Sequence, residues 1–280
     1  MSKSIATPSL HRKPVTPDSQ GFIQQITPQS AGWQYVGFEA AVLPAGATLA
    51  VESGASSELC LVILSGILSL DCEGQQFSRV GKRMSVFDGS APYALYVPPG
   101  MTVRVTADTD AEIALCRAPA GGANGTESRY PLRLITPEDC SRETRGQGTN
   151  TRLVCNILLG NLPAERLLIT EVLTPPGHWS SYPPHKHDSD ALPVESALEE
   201  TYFHKLNPQQ GFAFQRVYTD DRSLDETICV EHNSLVLVPR GYHPVGAPHG
   251  YELYYLNVMA GPTRQWVFKN DPQHEWILQK

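Results

Sequence analysis

The sequence lacks the features that would place it at a membrane or on a nucleic acid. Its longest apolar-rich stretch, Leu59–Leu70, has only 12 residues and contains a glycine, whereas a membrane-spanning helix needs about 20 apolar residues. Basic residues are outnumbered by acidic ones, and the formal net charge is −7. Nucleic acids and anionic membranes are both bound through basic faces. We therefore expect neither as a partner.

Cysteine is also scarce, and its spacing is uninformative for metal or disulfide chemistry. The six cysteines of the 280-residue chain include no C-x-x-C pair, so a disulfide scaffold is excluded and reduced thiols are expected. The first 25 residues contain no apolar run. We therefore expect no signal peptide and a cytoplasmic location.

Helical periodicity is the third absence, and an alternating pattern takes its place. Short segments rich in Val, Leu, Phe and Tyr are separated by turn clusters of Gly, Pro, Asp and Asn, which predicts an all-β protein. Composition divides the chain into a flexible N-terminal tail, a first β unit, a linker and a second β unit. The predicted bounds are 1–20, 21–120, 121–150 and 151–280.

The two predicted units share a common layout. Each has a V-P-x-G turn, Val97–Gly100 in the first and Val238–Gly241 in the second, and each has a glutamate that opens an apolar strand, Glu58 and Glu200. The spacing from this glutamate to the turn proline is 40 positions in the first half and 39 in the second. This repetition predicts two β-barrels or jelly rolls in tandem, derived from one duplicated unit.

Histidine is distributed unevenly between the halves. Of nine histidines, only His11 precedes residue 178. The loop before Glu200 is longer than the corresponding loop before Glu58 and carries His185 and His187. Any metal or imidazole chemistry therefore belongs to the second half, and the first half is expected to be a scaffold without metal.

Four residues of the second half form a candidate metal site. His185 and His187 are two positions apart, so on a strand they face the same way. Glu200 opens the following strand, and His243 comes just after the Pro-Gly turn of a later strand. Three imidazoles and one carboxylate suit a divalent ion such as Zn, Mn, Fe, Co or Ni. Glu199 is a rival to Glu200, although the alternation with Tyr202 favours Glu200.

The pattern H-x-H, Glu, P-x-G, His resembles the cupin superfamily. Longer strings resemble one family within it, the bacterial 5-deoxy-glucuronate isomerases of inositol catabolism. The similarity is dense over 145–277 and looser over 20–118. The strings are PPGHWSSYPPHKHD (175–188), GFAFQRVYTDDRSLDET (211–227), VPRGYHPVGAPHGYELYYLNVMAGP (238–262), RGQGTNTR (145–152) and DPQHEWI (271–277).

This resemblance implies a bicupin, two double-stranded β-helix (jelly-roll) barrels in tandem, with the metal in the C-terminal barrel. It also extends to the uronate isomerases of pectin degradation, whose matching three-His, one-Glu set binds zinc, so zinc is the metal that we expect first. One departure is visible, because only Tyr242 separates Gly241 from His243 where cupins usually have two residues. His249 is the weaker substitute for His243.

The implied reaction converts 5-deoxy-D-glucuronate into 5-dehydro-2-deoxy-D-gluconate, an aldose–ketose isomerisation through an enediolate. Such chemistry needs a base, and alternation with Glu200 points to His204 or Tyr202. It also needs a cation for the carboxylate of this small anionic sugar acid, for which Arg216 and Arg240 are the candidates because an Arg fork binds a carboxylate through two bonds.

Three other functions and one assembly state follow from the same residues. The chain could isomerise another uronate, act as an iron-dependent cupin dioxygenase at the same four ligands, or bind a sugar without turnover. Oxygen consumption distinguishes the dioxygenase from the isomerases. We also expect a homo-oligomer, because exchanged edge strands commonly cover the open edges of double-sheet folds.

Overall fold

The computed structural model describes residues 9–120 and 130–279, and almost all of their regular structure is β-strand. The helices described are α1 (Pro28–Ala31) and two 3₁₀ turns, Gly148–Asn150 and Glu275–Gln279. None of these is long and apolar enough to cross a membrane. The strands are β1 (His11–Arg12), β2 (Phe22–Ile26), β3 (Gly37–Leu43), β4 (Thr48–Glu52), β5 (Ser57–Ser65), β6 (Leu68–Cys72), β7 (Gln75–Val80), β8 (Ala94–Val97), β9 (Thr102–Ala107), β10 (Ala111–Pro119), β11 (Arg133–Ile135), β12 (Ser141–Arg145), β13 (Arg152–Leu158), β14 (Leu168–Thr174), β15 (Trp179–Ser180), β16 (His185–Lys186), β17 (Asp188–Ala191), β18 (Glu195–Ala197), β19 (Glu199–Asn207), β20 (Phe212–Tyr218), β21 (Asp225–Glu231), β22 (Leu235–Val238), β23 (Val245–Gly246), β24 (Glu252–Ala260) and β25 (Lys269–Asn270).

The first unit is a double sheet with an apolar interior. A six-stranded sheet, in the order β11-β8-β5-β10-β3-β2, faces a four-stranded sheet, β4-β9-β6-β7. Alternate residues of β4 and β9, such as Val51 and Val103, pack against Leu61 and Leu95 of the large sheet. The apolar-rich stretch Leu59–Leu70 is divided between β5 and β6, because Gly66 adopts a positive φ of 92° and turns the chain between them.

The second unit repeats this plan and encloses the predicted histidine site. A seven-stranded sheet, β1-β22-β19-β24-β14-β13-β12, faces the four strands β15-β23-β20-β21. Val217 and Val230 of the small sheet pack with Tyr202 and Val236 of the large one. The expected all-β architecture of two tandem units is confirmed.

The two large sheets pack against each other and join the units. Phe38 and Val62 of the first unit share one apolar cluster with Phe203 and Leu256 of the second. This burial removes apolar area from water, the main stabilising contribution at such an interface. At its margin the buried Arg83 guanidinium holds both carboxylate oxygens of Glu171, at 2.8 and 3.0 Å.

Strand register corrects the proposed match between Glu58 and Glu200. Leu59 pairs with Val97 in the first unit, whereas Glu200 pairs with Val238 in the second. If the V-P-x-G turns correspond, Leu59 stands where Glu200 stands, and Glu58 corresponds to Glu199. The sequence match was wrong by one residue because Glu199 and Glu200 are adjacent and either can open the strand.

Glu58 and Glu199 each bind backbone N–H groups of the other unit. The Glu58 carboxylate accepts the backbone N–H groups of residues 165, 166 and 167 at 2.8, 2.7 and 2.6 Å. The Glu199 carboxylate accepts those of residues 34, 35 and 36 at 2.8, 2.8 and 3.0 Å. Each unit thus caps the loop that leads into β14 or β3 of the other. The rival ligand Glu199 is therefore committed to the interface.

The predicted tail and linker contain strands. Leu10 is buried and β1 pairs with β22 of the second unit, so the chain from residue 9 onward is part of the fold. In the predicted linker, β11 pairs with β8 and β12 pairs with β13, while residues 121–129 lie outside the described part. Short polar strands of this kind, such as the exposed β12, carry too little apolar periodicity to be detected in a sequence. The domain bounds themselves stay a prediction.

Candidate metal centre

The H-x-H segment is held by strands on both sides. His185 opens β16, which pairs with β25 near the C-terminal end of the chain. The segment continues into the β17–β18 hairpin, in which Asp188 pairs with Ala197. Between the two histidines, the Lys186 ammonium lies 2.7 Å from Asp188 and 3.5 Å from Glu195. This partly buried network fixes the backbone from which both imidazoles project.

His243 reaches the same place through a glycine turn. Gly241 has a φ of 88°, and a Cβ at this position would collide with the backbone oxygen of Tyr218, so only glycine fits. Its N–H donates to Asp188 at 2.8 Å, and its carbonyl accepts the Nδ1–H of His243 at 2.8 Å. One residue between glycine and histidine is therefore enough to bring His243 inward. His249 is exposed and lies outside the cluster.

Three imidazoles and one carboxylate converge in the interior. Single ring nitrogens of His185, His187 and His243 all lie within 4.8 Å of one another. Glu200 projects from β19, and its Oε2 atom is 3.0 Å from Nε2 of His187 and 3.2 Å from Nε2 of His243. All four side chains are buried. The structure thus brings together the four residues predicted as ligands.

Hydrogen bonds to backbone carbonyls orient two of the three imidazoles. The Nδ1–H groups of His187 and His243 donate to backbone carbonyls, of Leu198 at 3.3 Å and Gly241 at 2.8 Å. This arrangement fixes the tautomer that offers Nε2 to a metal. Nε2 of His243 is buried and makes no hydrogen bond within the described residues. The histidine triad can hold a metal ion, and its nitrogen and oxygen donors are of the kind that zinc and its neighbours bind.

Protonation preferences agree with a cation-binding role. Burial, together with the neighbouring His243 and His187, lowers the pKa of His185 well below its usual range. Burial by itself would raise the pKa of Glu200, but the two adjacent imidazoles lower it to about 2. His185 is therefore neutral and Glu200 ionised, the forms in which these side chains bind metals, whereas for His187 burial is outweighed by the hydrogen bond to Glu200, which raises its pKa.

Tyr202 and His204 occupy successive layers behind the ligands. The Tyr202 ring centroid is 5.7 Å from that of His243, and its hydroxyl is 2.9 Å from Ser181 Oγ. His204 stacks on Tyr202 at 5.9 Å between ring centroids and binds Gln215 through Nε2 at 2.9 Å. Burial lowers the His204 pKa to about 4, so this side chain is neutral near pH 7. Alternation predicted correctly that both residues share the face of Glu200.

A cavity of about 450 Å³ opens beside the cluster, with His185 in its wall. Trp266 and Phe268 form an aromatic side of this cavity, and the ring centroid of Phe268 lies 4.7 Å from that of His185. Two guanidiniums, from Arg145 and Arg152, line it as well. The cavity is large enough for a six-carbon acid, and it is the obvious approach to His185.

The structure does not bring the predicted Arg216 and Arg240 to this cavity. Both oxygens of Asp225 occupy the Arg216 fork at 2.8 and 2.7 Å on β20, and Arg240 is exposed. Arg145 and Arg152 were missed as site residues because nothing in their local pattern separates them from surface arginines. The one available signal was the RGQGTNTR string, which contains both.

Comparison with known proteins gives consistent matches over nearly the whole chain. The sequence profile of the KduI/IolB family matches residues 10–277. A protein named 5-deoxy-glucuronate isomerase from Geobacillus kaustophilus (strain HTA426) is 52% identical over 264 residues, covering 94% of this chain and 93% of that protein.

Two solved structures resemble the fold of this chain. A crystal structure of an IolB-like protein from Salmonella typhimurium LT2 has a TM-score of 0.91 at 46% identity, covering 97% of this chain and 100% of that one. An oxalate decarboxylase of Lactobacillus farciminis, in complex with formate, has a TM-score of 0.66 at 12% identity, covering 98% and 91%. The second likeness concerns the fold alone, and with the first it identifies the expected bicupin architecture.

Proposed function

This chain belongs to the KduI/IolB family, and we propose that it is a 5-deoxy-glucuronate isomerase that forms 5-dehydro-2-deoxy-D-gluconate in inositol catabolism. It is thus an aldose–ketose isomerase. One observation supports the proposal above all others: His185, His187, Glu200 and His243 converge in the interior of the second unit, beside a cavity of about 450 Å³. The similarity to named isomerases over 94% of the chain supplies the substrate.

We propose that these four side chains hold one divalent ion, with zinc first among the candidates. Such an ion supplies Lewis-acid stabilisation of negative charge on the substrate oxygens. The protein provides three imidazoles and an ionised carboxylate, all buried, and hydrogen bonds to backbone carbonyls orient His187 and His243. Mn, Fe, Co and Ni suit the same donors, so metal analysis of the purified protein decides between them.

We assign the proton-carrying group to the Tyr202 hydroxyl, with His204 as its positioning residue. Burial raises the pKa of Tyr202, so its hydroxyl is protonated at rest and serves as the acid that returns a proton to the enediolate; the base that first removes the carbon-bound proton is a separate group. Ser181 Oγ lies 2.9 Å from this hydroxyl and 3.5 Å from that of Tyr255, which forms a chain of exchangeable protons. His204 lies one layer deeper, with Nε2 engaged by Gln215, and holds the Tyr202 ring by stacking.

The test is a proton NMR time course with metal-loaded protein and 5-deoxy-D-glucuronate in D₂O. We expect conversion to the ketose, deuterium at an exchanged carbon position, and loss of turnover in His243→Gln. The exposed His249→Gln is the matched control and is expected to turn over like the parent chain. No conversion by folded, metal-loaded protein would contradict the proposed substrate; oxygen uptake by the iron-loaded form would instead indicate a dioxygenase.

We further propose that the enzyme works in the cytoplasm as a homo-oligomer. All six cysteines are free thiols, as expected in a reducing compartment. Phe212 and Phe214 of β20 are exposed side by side, 5.5 Å apart between ring centroids, which suits a contact between copies of the chain. Light scattering of the purified protein measures the assembly, and a monomer would contradict it.

A further inference from the structure

Two arginines face each other across the hairpin that borders the cavity. Arg145 ends β12 and Arg152 begins β13, and the two are direct cross-strand partners. Directly opposed side chains lie on the same face of a sheet, where like charges destabilise the pair. Both guanidiniums nevertheless line the cavity beside His185. A pair of this kind needs a compensating negative charge.

Of the two arginines, only Arg145 forms an ion pair within the described residues. Arg145 binds the Glu143 carboxylate and lies over the ring of Trp266, 5.0 Å from its centroid. Arg152 makes no ion pair within residues 9–120 and 130–279, and its hydrogen bonds there run from Nη1 to two backbone carbonyls, of Asn150 at 3.1 Å and Tyr182 at 3.2 Å. Its guanidinium is part-buried, and burial lowers its pKa.

A part-buried cation without a counterion costs free energy that an anionic ligand can recover. The two carbonyl bonds also anchor Nη1 and hold the guanidinium plane in one orientation. A carboxylate that reaches this plane forms charge-assisted hydrogen bonds, which are about twice as strong as neutral ones. Arg152 therefore combines the charge, the fixed geometry and the position that an acid-binding group needs.

We propose that Arg152 binds the carboxylate of the sugar-acid substrate and so orients its aldehyde end toward His185. This inference rests on the proposed function for the identity of the substrate. The rest of the wall suits the remainder of such a molecule. Gln147 and Asn150 contribute amide groups that can bind hydroxyls, and Trp266 presents an aromatic face that C–H groups of a sugar can cover.

Calorimetry with two probes tests the proposal independently of turnover. D-glucuronate and its neutral amide, D-glucuronamide, differ only in the group that Arg152 is proposed to bind. We expect the parent chain to bind glucuronate about tenfold or more tightly than the amide. Arg152→Gln should remove this preference, and Arg152→Lys, which keeps the charge but not the fork, should retain part of it. The exposed Arg104→Gln in the first unit is the matched control.

Kinetics with 5-deoxy-D-glucuronate provide a second readout. In Arg152→Gln we expect KM to rise about tenfold or more while the metal content stays unchanged and the protein still unfolds cooperatively in urea. An unaltered preference for glucuronate in this variant, or no preference in the parent chain, would overturn the assignment. If the parent chain shows an Arg152-dependent preference but never converts 5-deoxy-D-glucuronate, the carboxylate site stands and the proposed function fails. If Arg152→Gln converts 5-deoxy-D-glucuronate with an unchanged KM, the proposed function stands and the carboxylate site fails.

Discussion

Replacing Glu58 by glutamine should weaken the joint between the two units. The Glu58 carboxylate accepts three backbone N–H groups of the second unit and the Tyr96 hydroxyl at 2.8 Å. Glutamine has one acceptor oxygen, so two of these four bonds lose their acceptor. At about 1.5 kcal/mol for a hydrogen bond to a charged group, the loss is about 3 kcal/mol. Burial raises the pKa of Glu58, which shows that its ionised form bears a desolvation cost that the variant avoids. We therefore expect a loss of about 2–3 kcal/mol.

Urea unfolding followed by circular dichroism measures this loss. With a slope of about 3 kcal/mol per molar, the midpoint should fall by somewhat less than about 1 M. Glu199→Gln is the internal comparison, because Glu199 occupies the corresponding position in the second unit but none of its three bonds is fully buried. We expect about 1 kcal/mol there. Equal effects of the two variants, or a Glu58 effect below about 0.5 kcal/mol, would refute the reasoning from the hydrogen-bond pattern.

Three further predictions concern the site. Glu200→Gln should weaken zinc binding about tenfold to 100-fold in a chelator competition, because its carboxylate faces two imidazoles; affinity equal to the parent would remove Glu200 from the ligand set. Lys186→Met should also weaken zinc binding, by about tenfold. Asp188 would lose the ammonium group 2.7 Å away, and this ion pair holds the H-x-H backbone. A zinc affinity equal to that of the parent chain would show that the ion pair is not needed for metal binding. His204 has a folded pKa of about 4 against about 6.5 when unfolded, so the unfolded chain takes up a proton first as pH falls below 6.5. This residue should cost the fold about 2–3 kcal/mol between pH 7 and 4.5, and urea unfolding of His204→Gln should lack that part of the pH dependence; identical pH profiles would contradict it.

Local pattern was a good guide to the strands and to the four side chains that converge in the second unit. The alternating segment Phe212–Tyr218 forms β20, because its alternation reflects one largely buried and one more exposed face. The sequence also predicted that His185 and His187 lie together and that Glu200 lies on a strand. In contrast, β11 and β12 were assigned to a linker, since three to five partly exposed residues give no periodic signal.

Strand register and the contacts between distant segments could not be predicted from the sequence. The choice between Glu199 and Glu200 depends on strand register, which places one carboxylate among imidazoles and the other against the backbone of residues 34–36. Likewise, the sequence does not distinguish the environment of Arg216 from that of Arg152. Only the fold gives the first a carboxylate partner, Asp225, and places the second at a cavity with no ion pair among the described residues.

The sequence by itself determined the class of this protein. Alternating apolar segments, a repeated turn and clustered histidines can specify two β units and a metal site in the second, because period, turn chemistry and ligand type are local properties. The tertiary structure decided which carboxylate joins the site, how Gly241 turns His243 inward, and which arginines line the cavity. Those outcomes depend on groups far apart in the chain, and their free energies exist only once the sheets have paired and water has been excluded.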